Sequence, residues 1–159
     1  MNQKTLYRVL ELLCVAALIA FIVTLFLTRS GGTDKDLGDV SAPVISQLPD
    51  GMEALSNAEA AKTYGLDLDK AESLIAYEDP DIMDVSELLL VKLNDEKDMP
   101  ACREAVEKHI ADQKNLYKAY APEQYALLSD CVLETRGNLL FYATAQNADA
   151  LYDAFRNAL

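Results

Sequence analysis

The residues able to do chemistry are few in this chain, and their spacing brings little together. His109 is the only histidine, so one chain cannot assemble a histidine-based triad or a multi-histidine metal site. It stands beside Ile110 at the edge of a helical apolar stripe, where it reads as a surface or half-buried structural histidine without a partner. Asp79, Asp81 and Asp84 form a D-x-D-x-x-D cluster around Pro80. Calcium favours such oxygen-rich loops, but the spacing is not that of an EF-hand, and Ile82 and Met83 stand where ligands would help. Asp84 capping a turn before the next strand is the simpler role, and Asp67 and Asp69 read the same way at a helix start.

Tyr117, Tyr120 and Tyr125 cluster around Ala121-Pro122. Tyrosines can line a groove for a sugar or peptide, but packing the corner between two helices is the favoured reading here. Ser41, Ser73, Ser86 and Ser129 lack any G-x-S-x-G or S-x-x-K setting, and the six glycines are scattered rather than gathered into a phosphate-cradling loop. No catalytic, cofactor-binding or metal-ligating residue is assigned, and no cofactor is implied. The cysteines are Cys14, Cys102 and Cys131. Cys102 and Cys131 have no CxxC spacing; they are read as free buried thiols, with a disulfide open to them if the domain meets an oxidising exterior.

Residues 12–27, LLCVAALIAFIVTLFL, carry no charge and only Thr24 as a polar interruption. Extended to residues 9–28 the segment would make about 30 Å of helix, roughly the hydrocarbon thickness of a bilayer. Lys4 and Arg8 before it and only Arg29 close behind it put the N-terminus in the cytoplasm. Residues before Cys14 do not make a lipobox, and an uncleaved signal anchor is the best reading. The expected organisation is a cytoplasmic N-terminus and transmembrane anchor over residues 1–29, a flexible tether over 30–36, and an extracytoplasmic domain over 37–159. Of 26 acidic and 14 basic residues, only Glu11, Lys4, Arg8 and Arg29 precede residue 31, which leaves the remainder at about −14. Such a charge disfavours nucleic acid and anionic membrane surfaces as partners.

The tether, Ser30-Gly31-Gly32 onward, is followed by a short helix expected from Ala42 or Pro43, then a turn at Pro49-Asp50-Gly51. Ser56 and Glu59 fit a capping box that opens a helix stopped by Gly65. Residues 73–77 are a weak strand. Residues 87–93, ELLLVKL, are a stronger one whose continuous apolar run suits burial on both faces. Asp98 is expected to cap the longest helix, with Cys102, Val106, Ile110, Leu116, Tyr117 and Tyr120 as its apolar positions. A shorter helix over 123–128, a hairpin of 131–135 and 138–144 around Arg136-Gly137, and a final helix capped by Asn147 complete the chain. The order predicts an α+β fold, a two-layer domain with a mainly antiparallel sheet covered by helices on one face.

Five stretches in order carry a resemblance: Tyr64-Gly65-Leu66-Asp67; Ser86-Glu87-Leu88-Leu89-Leu90-Val91-Lys92; Gln113-Lys114; Tyr120-Ala121-Pro122-Glu123-Gln124-Tyr125; and Gly137-Asn138. Over residues 64–155 the chain resembles domain-of-unknown-function family 4358. The resemblance implies a small secreted lipoprotein or membrane-anchored protein, of the kind found mostly in Clostridia and related Firmicutes. Members often carry an arginine where this chain has His109, and many carry a lipobox where this chain has an anchor. A location and a fold pattern follow from it, but no activity.

The expected function is non-enzymatic: a single-pass membrane protein, held in the bilayer by residues 12–27, whose domain binds a protein or envelope component. The alternatives are an envelope hydrolase using carboxylates such as Asp81 or Glu87, and a structural accessory subunit whose apolar helix is itself the interface.

Overall fold

A computed structural model describes residues 15, 17–21 and 35–159. The chain divides into two compact units, residues 1–31 and 32–159. In the first, the described residues 15 and 17–21 are helical and expose Val15, Leu18, Ile19 and Phe21. Among the described residues no helix is long and apolar enough to cross a membrane. Most of the expected anchor, Cys14 and the greater part of the tether lie outside the described residues.

The second unit is α+β. Its elements are α1 (Leu37–Ile45), β1 (Glu53–Ala54), α2 (Asn57–Tyr64), β2 (Ala71–Glu78), β3 (Glu87–Leu93), α3 (Met99–Tyr117), α4 (Pro122–Ser129), β4 (Val132–Arg136), β5 (Leu139–Thr144) and α5 (Ala148–Ala158). The strands form one sheet in the order β1-β2-β3-β5-β4, with every neighbouring pair antiparallel. β3 is central and all seven of its residues are buried. Successive side chains of a strand point to opposite faces. Leu88 and Leu90 accordingly meet Leu37, Val40 and Val44 of α1 and Leu151 and Phe155 of α5. Leu89, Val91 and Leu93 meet Tyr64 of α2 and Cys102, Val106 and Ile110 of α3.

Helices thus cover both faces of the sheet, which corrects the expected two-layer arrangement. A strand without a polar side needs apolar cover on each face, so the ELLLVKL run itself demanded the second helical layer. β1, which the sequence reading missed, is a two-residue edge strand without a buried side chain to mark it.

Local signals succeed where the determining bond lies within a few residues. Ser56 Oγ accepts from the Glu59 amide at 3.3 Å while the Glu59 carboxylate accepts from the Ser56 amide at 2.9 Å. Gly65 closes α2 in the left-handed region at φ 69. They fail where a long-range contact decides. α1 begins at Leu37 rather than Ala42, because Asp36 caps it and Leu37, Val40, Ser41 and Val44 make the buried stripe. Pro43 lies inside the helix and forgoes one backbone bond. Asp98 stands at the N-cap of α3 as expected, but its side chain pairs with Lys70 at 3.1 Å rather than capping, and Asp95 caps the preceding 3-10 turn. Asn147 stands at the N-cap of α5 as expected but makes no side-chain cap bond, and its Nδ2 donates to the Gln47 carbonyl at 2.8 Å. Leu116 and Tyr120 are exposed rather than part of the α3 stripe. The hairpin turn is Gly137-Asn138, with Arg136 already paired to Leu139.

Candidate functional site

The register of the sheet lines up carboxylates. Glu53 on β1 lies opposite Glu78 on β2, which lies opposite Glu87 on β3, which lies opposite Thr144 on β5. Directly opposed residues share a face. This row sits on the face covered by α2 and α3, and there α3 presents His109. Its Nε2 meets both carboxylate oxygens of Glu87, at 2.9 and 3.1 Å, and each side chain is only 9% exposed.

Two tyrosines close the cluster. The Tyr64 ring stands edge-on to His109 with centroids 4.7 Å apart, and Tyr142 packs against both. The hydroxyls of Tyr64, Tyr142 and Thr144 are buried without a hydrogen bond of ordinary geometry. Burial first, and then the negative charge of Glu87, push both tyrosine pKa values well above 10.0. Burial likewise raises Glu78 above 4.5, reinforced by Glu87, Glu59 and Glu53 and opposed by His109. The sequence reading left His109 without a partner; the fold supplies Glu87. The two are 22 residues apart, on a strand and a helix, so no spacing rule joined them.

The expected acidic loop has a different construction. Each aspartate turns its carboxylate back onto the chain: Asp79 accepts from the Asp81 amide, Asp81 from Met83 and Asp84 from Ser86, at 2.8, 2.9 and 2.8 Å. Among the described residues no group of three His, Cys, Asp or Glu side chains is placed to hold a metal ion. Tyr117 Oη donates to the Ile82 carbonyl at 2.7 Å, and Gln124 Oε1 accepts from the Val85 amide at 3.1 Å. Tyr117 and Leu128 bury Val85 beneath the loop, Tyr125 packs at the edge, and Tyr120 leans on Tyr117 with ring centroids 5.5 Å apart. Two of the three tyrosines therefore pack the helix corner, as expected, while Tyr120 faces solvent.

A family model described as a domain of unknown function (DUF4358) matches residues 46–145. The chain belongs to this family. No curated protein and no solved structure matches it. In this DUF4358 domain three of the five stretches that carried the resemblance reach the two places just described. Tyr64 and Glu87 belong to the buried cluster, and Gln124 pins the loop. Asn138 exchanges bonds with Leu93, donating to its carbonyl at 2.9 Å and accepting from its amide at 2.8 Å.

Other groups named from the sequence are occupied structurally. Ser41 and Ser129 donate to backbone carbonyls at 3.0 and 2.8 Å. Asp67 caps a 3-10 turn by accepting from the Asp69 amide. Cys102 and Cys131 are free thiols. Cys102 lines an apolar cavity of about 110 Å³ with Leu66, Val91, Leu93 and Ala105, and burial pushes its pKa up to about 11. A thiol so held stays protonated and is a poor nucleophile. None of Tyr64, Glu87, His109 and Tyr142 lines that cavity.

Proposed function

We propose that this chain is a single-pass membrane protein whose DUF4358 domain lies outside the cytoplasmic membrane and works by binding, without catalysing a reaction. The anchor rests on residues 12–27, and the topology on Lys4 and Arg8 ahead of them. The observation that carries the binding reading is where the polar atoms go. Glu87 and His109, the side chains best suited to acid–base work, are closed in and bonded to one another. Asp79, Asp81 and Asp84, the other acids suited to a hydrolase, brace their own loop.

Protease treatment of intact cells that express the full chain, tagged at both ends, tests location. Digestion of the C-terminal tag with a membrane-retained N-terminal fragment is the expected result; protection until lysis would invert the topology. Incubating the purified full chain with ester, peptide and glycoside substrates tests the second half. Turnover that disappears in Glu87→Gln while the fold persists would replace binding with the carboxylate hydrolase.

A further inference from the structure

The loop between β2 and β3 is braced far beyond what a connection needs. Besides the three aspartate turns and the bonds to Tyr117 and Gln124, the Asp79 amide donates to the Ser86 carbonyl at 3.0 Å and the Asp84 amide to the Asp81 carbonyl at 2.8 Å. What this frame holds out is apolar. Ile82 is 86% exposed and Met83 49%, and Tyr117, which holds the Ile82 carbonyl, carries Tyr120, 52% exposed, against its ring. A single exposed apolar residue needs no explanation, but a fixed group of them rimmed by charge marks an interaction surface. A side chain presented on a rigid frame loses little freedom on docking.

Charge selects the occupant. Between Lys70 and Lys92 the chain has six carboxylates and no basic residue, and Asp79, Asp81 and Asp84 flank the exposed pair, against the single cation of Lys118 two residues from Tyr120. Anionic lipid headgroups would be repelled, and so would a second copy of this acidic domain. We infer that Ile82, Met83 and Tyr120 form a docking surface for another protein, one that offers an apolar socket edged with lysine or arginine. This inference rests on the binding reading above and specifies where the partner sits.

The test uses the full chain in intact cells, with a photo-crosslinking residue at position 82 or, separately, at position 68. Leu68 is also exposed but precedes β2, whereas the loop follows it. Position 82 should crosslink to a protein whose labelled peptide contains aliphatic residues flanked by Lys or Arg. A crosslink only to lipid, only to another copy, or to a peptide without basic residues would overturn the inference, as would none at all. Protein crosslinks from position 68 alone would overturn it while leaving the binding reading intact. Protein crosslinks from neither position would count against both. As a second measurement, synthetic peptides with an aliphatic pair flanked by Lys should bind the purified chain. Ile82→Asp should weaken them at least tenfold and added salt should weaken them further, while Glu-flanked peptides should not bind. Equal binding by wild type and Ile82→Asp would sink the proposal. Ile82 is solvent-facing, so this variant keeps its fold, which circular dichroism checks.

Discussion

At the scale of single residues, the pairing of Glu87 with His109 has the largest consequences. Removing one partner from a buried pair leaves the other desolvated and uncompensated, so His109→Ala should cost about 3 kcal/mol in urea unfolding. Combining it with Glu87→Gln should cost much less than the sum of the two single changes. Glu78 tests the opposite sign. Its raised pKa means that the folded chain prefers it protonated, so its ionised form is a burden at neutral pH, beside Glu53 and Glu87. Glu78→Gln should therefore stabilise the protein by about 0.5 kcal/mol at pH 7, the usual scale for a cross-strand pair. The gain should fade as the pH falls toward the ordinary carboxylate value of 4.5 and be gone below it. At the alkaline end, Tyr64, Tyr142 and Cys102 are held protonated past the points where the unfolded chain releases those protons, 10.0 for the phenols and 9.0 for the thiol. The unfolded state then binds fewer protons, so stability should begin to fall above pH 9. Ultraviolet titration should show these two tyrosines ionising only as the protein unfolds.

At the scale of elements, the chain separates what is written locally from what is not. Ser56, Glu59 and Gly65 bound α2 through bonds that span at most a few residues, and the sequence alone identifies both ends. Gly65→Ala meets no neighbouring atom, so its cost is backbone strain alone, about 1 kcal/mol by thermal or urea unfolding. Ser56→Ala should cost a similar amount through the lost cap. α3 and α5 also start where the sequence puts them, after Asp98 and Asn147, whereas α1 starts earlier than Pro43 suggests because Asp36 caps it. What the sequence did not show is that the side chains of Asp98 and Asn147 bond to partners distant in the chain instead of capping. Asp98 serves Lys70, and Asn147 serves Gln47, 100 residues away.

At the scale of the whole molecule, the acidic balance of about −14 beyond residue 30 weighs on the domain's stability. Raising sodium chloride from low ionic strength should raise the melting temperature, because screening relieves self-repulsion among exposed carboxylates. A midpoint that stays flat or falls would mean that specific pairs such as Lys92–Glu72, at 2.9 Å, outweigh the general repulsion. The sequence by itself determined the α+β class, the central buried strand and the apolar segment over residues 12–27, because composition and short-range periodicity encode those features directly; the family followed from the likeness of motifs in order. Tertiary structure alone decided which helices cover each face of the sheet, that Glu87 meets His109 between two tyrosines, and that the acidic loop is braced with Ile82 outermost. Each depends on side chains brought together from separate elements, and the geometry that joins them comes from strand register and helix packing rather than from spacing along the chain.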